Sequence, residues 1–109
     1  MNRRGIQSEA EALRFFPREG LRLEECNYTC RMGDIDLVMR DGATLVFVEM
    51  RVRAFGAAAE SITPRKRARL LAAAPHYLAG RRAMPERRFD AVLINNGEAP
   101  EWIKDAFGE

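Results

Sequence analysis

Gly33-Asp34-Ile35-Asp36-Leu37-Val38-Met39-Arg40-Asp41-Gly42-Ala43-Thr44-Leu45-Val46-Phe47-Val48-Glu49-Met50-Arg51-Val52-Arg53 is the stretch that decides the fold. Two runs, Asp34 to Arg40 and Ala43 to Arg53, flank Asp41-Gly42, the dipeptide suited to a two-residue type I′ hairpin. That turn pairs Arg40 with Ala43. It sets Asp34 opposite Glu49 and Asp36 opposite Phe47. Side chains alternate across a strand. One face therefore collects Ile35, Leu37, Met39, Val46, Val48, Met50 and Val52, and reads as the core face. The other collects Asp34, Asp36, Val38, Phe47, Glu49, Arg51 and Arg53. A one-residue slip would mix the two sets, so the pattern itself supports the pairing.

Working outward, residues 4–16 read as a helix, with Ala12, Leu13 and Phe16 on its apolar stripe. Ser8 followed by Glu11 offers a capping box for a later start, and Pro17 with Gly20 ends the helix. Leu21 to Arg31 reads as a strand whose apolar parity changes at Cys26, which predicts a bulge or a fully covered strand. Residues 56–60 are small and loop-like. Thr63-Pro64 has the chemistry of a helix start. That helix runs to Leu78 or Ala79, with Gly80 as terminator. Pro75 inside it predicts a kink or local break. Arg88 to Asn95 reads as a last buried strand, and Glu101 to Phe107 as a short helix anchored by Trp102, Ile103 and Phe107. The order α-β-β-β-α-β is that of an α/β protein.

A chain of 109 residues is expected to form a single domain, residues 1–109. Its 47% hydrophobic and 31% charged residues are those of a soluble globular protein. The net charge is +2 and the isoelectric point 8.8, short of a dedicated nucleic-acid binder. Of the basic residues only Lys66 and Lys104 are lysine. Arginine's planar fork suits phosphate, although a GC-rich genome produces the same bias. No apolar stretch follows Arg3-Arg4, so no secretory signal is expected, and no run is long enough for a membrane helix. Cys26 and Cys30, four strand residues apart, are too distant to bridge and read as free thiols in a reducing cytoplasm.

Chemistry concentrates on the polar face of the hairpin. Opposed like charges destabilise a ladder by roughly 0.2–1 kcal/mol per pair, so something positive belongs between Asp34, Asp36 and Glu49. A divalent cation such as Mg²⁺ is one candidate and Arg51 the other. Neutralisation of a solvated face by Arg51 and Arg53 is the plainer alternative. Val38 and Phe47 on the same face argue for a covered cleft instead. The cluster Arg65-Lys66-Arg67-Arg69 opens the next helix, where phosphate contacts are natural. The lone histidine, His76, reads as a helix-surface residue before a general base. Asp90 reads as an arginine's partner or a satisfied structural carboxylate, and Asn27 as a residue that bends its strand. Tyr77 and Trp102 fit packing better than base stacking.

Several of these segments together resemble one family. Gly33-Asp34-Ile35-Asp36-Leu37, Val46-Phe47-Val48-Glu49-Met50-Arg51-Val52-Arg53, Ser61-Ile62-Thr63-Pro64-Arg65-Lys66, Arg88-Phe89-Asp90 and Trp102-Ile103-Lys104-Asp105-Ala106-Phe107 look like the YraN-like bacterial proteins. The likeness runs from Ser8-Glu9 to Ala106-Phe107. That family is similar to the restriction-endonuclease-like PD-(D/E)xK superfamily and, within it, to archaeal Holliday-junction resolvases. The resemblance implies a central mixed sheet flanked by helices, with a metal site on the hairpin. Asp36 looks like the superfamily's metal-binding Asp, and Glu49 like the acidic residue of (D/E)xK. Glu9 is similar to an additional acid near the metal, and Asp34 stands where the family usually has Glu. Arg51 takes the place of the Lys. Arginine can stabilise charge at a phosphate but cannot act as a base.

The resemblance thus implies Mg²⁺- or Mn²⁺-dependent hydrolysis of phosphodiesters in structured DNA. Asp36, Glu49 and Glu9 would hold the metal, and Arg51 would stabilise charge. Arg53, Arg65, Lys66 and Arg69 would contact the nucleic acid, without membrane association. A homodimer is implied by analogy with resolvases. Two other readings stand beside this one: an inactive nucleic-acid-binding module of the same fold, and a protein–protein adaptor.

Overall fold

The computed structural model describes residues 20–53, 63–95 and 101–106, with residues 52, 53 and 95 described by backbone alone. Five strands form one mixed sheet in the order of the sequence: β1 (Arg22–Cys30), β2 (Gly33–Asp41), β3 (Thr44–Arg53), β4 (Arg87–Asn95) and β5 (Glu101–Ile103). Neighbours are antiparallel except β3 and β4, which are parallel and joined through helix α1 (Pro64–Leu78). A parallel pair needs such a crossover, so α1 is carried back across the sheet beside β3. The described order is therefore β-β-β-α-β-β. The helix expected over residues 4–16 and the loop over 56–60 lie outside the described residues.

The tail departs from the expected short helix and adds the fifth strand. Trp102 joins the apolar cluster on one side of the sheet and Ile103 packs against the cluster on the other. Neighbouring residues on opposite faces suit a strand, whose period is two, and not a helix. The Trp102 indole also donates to the buried Asp90 carboxylate at 2.7 Å, which ties β5 to β4.

The hairpin pairs two residues away from the register that Asp41-Gly42 predicts. Asp41 pairs with Thr44, Val38 with Phe47 and Leu37 with Val48, so the turn is Gly42-Ala43. The positive φ of 63° falls on Gly42, the first central residue, which is the type II′ arrangement. A type I′ turn at Asp41-Gly42 would also need positive φ at Asp41. Instead Asp41 completes β2, and its carboxylate accepts from Arg88 Nη1 at 3.1 Å. A shift of two preserves strand parity, so from Leu37 onward the hairpin's two faces remain sorted while its cross-strand partners change.

Both faces are buried. Leu21, Leu37, Met39, Val46, Val48, Val92 and Ile94 form one cluster. On the other face α1 lays Leu70, Ala73, Ala74 and Leu78 onto Val38, Leu45, Phe47, Phe89, Ala91 and Leu93. The face that carries the carboxylates is thus the one the helix covers. Ile35 belongs to this helix-side cluster and not with Leu37 and Met39. At the same level of the sheet Asn27 interrupts β1 with φ 54°, and the β1–β2 register shifts again between Leu23 and Glu25. These irregularities are the parity change expected in the first strand.

Local chemistry fixes both ends of α1. The Thr63 hydroxyl accepts from Lys66 N at 3.2 Å, and Pro64 occupies the first turn. Gly80, at φ 88°, follows the last turn. Of the kink or local break expected at Pro75, the break is absent: the helix is continuous through it. At its C-terminal end Glu24 of β1 accepts from Arg40 at 2.7 Å, Arg81 at 3.1 Å and the Tyr77 hydroxyl. At its N-terminal end Gly33 allows close approach: a Cβ there would lie 2.0 Å from the Arg69 carbonyl oxygen. Among the described residues no helix is long and apolar enough to cross a membrane.

Candidate functional site

Where regular pairing of β2 and β3 ends at Leu37–Val48, the next residues are Asp36 and Glu49. Here Asp36 Oδ2 accepts the Met50 backbone N–H at 2.8 Å. The side chain thus serves a backbone donor of β3 and fixes its own carboxylate beside Glu49. The expected facing pair of Asp34 with Glu49 is replaced by Asp36 with Glu49.

Glu49 is 4% exposed, and Lys66 Nζ lies 3.1 Å from its Oε1. Buried Oε1 thus meets the ammonium as an ion pair, in a direction poor for a hydrogen bond. Burial, then the neighbouring Asp36 charge, push the Glu49 carboxyl up to about 7 against the pull of Lys66. Asp34 is held differently. Arg69 Nε and Nη2 donate to its Oδ2 at 3.1 and 2.9 Å. Lys66 and Arg69, three residues apart on one face of α1, each meet a hairpin carboxylate.

Asp34, Asp36, Glu49, Lys66 and Arg69 line a cleft of about 50 Å³. That is room for one or two waters or a partly hydrated ion. Among the described residues no group of three or more His, Cys, Asp or Glu is arranged to hold a metal ion. Two carboxylates are nevertheless a sufficient protein share for Mg²⁺, which keeps waters and takes substrate oxygens for the remainder. Two adjacent carboxylates, one of them buried and held by a flexible ammonium, fit a hard divalent cation.

The other predicted residues lie elsewhere. Arg51 follows Glu49 on the same face of β3 but does not line the cleft. Arg65 is exposed on the first turn of α1. Glu9 and the Arg53 side chain lie outside the described residues. The ion pair of Lys66 with Glu49 carried no sequence signal, since it depends on how α1 crosses the sheet.

Asp90 and His76 have other partners. Asp90 is fully buried on β4, and its carboxylate accepts from Arg88 Nε at 2.9 Å and Nη2 at 3.0 Å. It also accepts from Trp102 Nε1 at 2.7 Å and Asp105 N at 2.9 Å. Every lobe of that carboxylate is used, so it serves structure. His76 Nδ1 lies 2.6 Å from the Tyr28 hydroxyl, beyond the cleft.

A family profile described as "Uncharacterised protein family UPF0102" matches residues 8–94. The chain is 49% identical to a UPF0102 protein of Nitrosomonas eutropha, across 97% of this chain and 94% of that protein. It is 50% identical to one of Nitrosospira multiformis, across 95% and 92% of the two chains. A third, of Dechloromonas aromatica, is 51% identical across 95% and 88%.

Proposed function

Because the chain belongs to the UPF0102 family, the YraN-like group its motifs resemble, we propose that it is a metal-dependent endonuclease-like protein acting on phosphodiesters of structured DNA. One observation carries the reading: the buried Glu49 carboxylate beside Asp36, in a cleft shared with Lys66 and Arg69. The mixed sheet with a helix over its acidic face is compatible with a restriction-endonuclease-like domain. A cytoplasmic homodimer belongs to the same reading.

In this mechanism Asp36 and Glu49 would hold the cation, with Glu9 assisting. Mg²⁺ or Mn²⁺, when bound, supplies polarisation of the phosphoryl oxygen and a more acidic attacking water. Asp36 is aligned for its part by the Met50 N–H, which donates to its Oδ2. Arg51 stabilises negative charge on the phosphate and takes no proton. The proton of the attacking water passes to a carboxylate or to a substrate phosphate oxygen. Lys66, Arg65, Arg53 and Arg69 bind the backbone, which favours shape over sequence.

The test is cleavage of a labelled four-way junction, flap, duplex and single strand with Mg²⁺, with Mn²⁺ and with chelator. The expected result is metal-dependent cleavage that an identically purified Glu49→Ala protein lacks. Cleavage that persists in Glu49→Ala, or that ignores chelator, refutes the assignment. The ammonium of Lys66 against Glu49 favours a second reading, a nucleic-acid-binding module whose own lysine fills the cation site. Binding without cleavage under every condition selects that module. Neither binding nor cleavage selects a protein–protein adaptor.

A further inference from the structure

The two ion pairs of the cleft are built differently. Arg69 presents two donors to one oxygen of Asp34. Lys66 touches Glu49 through a single ammonium and without hydrogen-bond geometry. Its side chain is 42% exposed, whereas that of Glu49 is 5% exposed. One end of this pair is therefore fixed in the sheet, and the other rides on a flexible four-carbon stem with solvent beside it. A divalent cation on the Asp36–Glu49 pair would compete with Lys66 for the Glu49 carboxylate. Two cations at one buried carboxylate repel, and in a cleft of about 50 Å³ the mobile one leaves.

We propose that Lys66 is a displaceable cation: it neutralises Glu49 in the free protein and is expelled when a divalent cation takes the Asp36–Glu49 pair. The freed ammonium stays on the first turn of α1, where backbone N–H groups already favour an anion. Metal entry thereby releases a phosphate-binding group, so metal and nucleic-acid binding reinforce each other. The same displacement makes metal binding weaker than the two carboxylates alone would give. This inference rests on the metal-binding reading above.

The experiment is calorimetric titration of the full chain with Mn²⁺ alone, for wild type, Lys66→Met and Arg65→Met. In parallel the Lys66 ammonium is followed by ¹⁵N NMR as Mg²⁺ is added. Loss of the competing ammonium is expected to tighten Mn²⁺ binding by roughly five- to tenfold in Lys66→Met. Arg65→Met, which removes an equal charge from an exposed neighbour, is expected to stay within about twofold of wild type. In wild type the ammonium signal is expected to shift with Mg²⁺. Binding seen only in Lys66→Met overturns displacement, because the site is then locked by its own lysine. Equal affinity in wild type and Lys66→Met, with an unmoved ammonium signal, overturns displacement and leaves the metal site standing. An equal gain in Arg65→Met and Lys66→Met overturns it too, by assigning the effect to net charge. No Mn²⁺ binding by any of the three overturns both the metal reading and the displacement.

Discussion

Replacing Glu49 by Gln is expected to stabilise the protein at alkaline pH while removing its proposed metal ligand. Burial and the adjacent Asp36 raise the Glu49 carboxyl from 4.5 to about 7. The folded state therefore holds this proton more tightly than the unfolded chain does. Stability contributed by the neutral acid is complete below pH 4.5, declines as pH rises, and is gone above about 7. At about 1.4 kcal/mol per pKa unit, ionising Glu49 costs the fold on the order of 3 kcal/mol. Gln has nearly the same shape and never ionises. Lys66, left without its partner, is exposed enough to be hydrated. The assay is urea unfolding of wild type and Glu49→Gln in chelator, from pH 4 to pH 8. The two proteins should agree near pH 4. At pH 8 the variant's midpoint should be higher by about 2 M, for a urea m-value of roughly 1.5 kcal/mol/M. Mg²⁺ at a hundredfold excess over its Kd should return about 2.7 kcal/mol to wild type alone. A stability difference that does not change with pH would refute the argument that Glu49 is held against its charge.

Gly33→Ala is expected to push α1 off β2 by more than about 1 Å, because the new methyl would meet the Arg69 backbone at 2.0 Å. The cost is about 1–3 kcal/mol, read as a fall of several degrees in Tm, with the Arg69–Asp34 contact loosened as well. Asp90→Asn leaves Arg88 short of a charge and places an amide among four donors. A loss of about 3 kcal/mol is expected, followed through the fluorescence of Trp102, the only tryptophan. Replacing Lys66 and Arg69 together by Met should lower the log–log salt slope of nucleic-acid binding by about 1.8, measured by anisotropy between 50 and 200 mM salt. An unchanged slope removes this face from the binding surface.

What was legible in the sequence followed from how local the signal was. Thr63-Pro64 and Gly80 bracket α1 because capping and left-handed termination are properties of a few adjacent residues. The parity change near Cys26 marked real irregularities, and the hairpin's two-residue period sorted its faces except at Ile35. The turn was misplaced because Asp41 is claimed by Arg88, far along the chain, and such a contact outweighs the preference of Asp-Gly for a turn. The tail was misread for a similar reason: Asp90 pins Trp102 into a strand. For the site, the acidic residues of the hairpin could be picked out by alternation. Which two of them meet depended on the misplaced turn. That Lys66 reaches Glu49 depended on the crossing of a helix over a sheet, which no local pattern encodes.

The irregular first strand has a consequence for how this sheet behaves among other proteins. Within the described sheet β1 is the outermost strand, and an outermost strand offers unpaired backbone groups to any passing chain. Here the slip between Leu23 and Glu25, and the left-handed turn of the backbone at Asn27, break the run of evenly spaced donors and acceptors. Charged Arg22, Glu24 and Glu25 crowd the same short stretch. At the opposite margin β5 is only three residues long. A sheet finished in this way is a poor template for cross-β growth in either direction. A small strand-rich protein can thus carry a half-hidden, charge-strained cleft without offering its margins to aggregation.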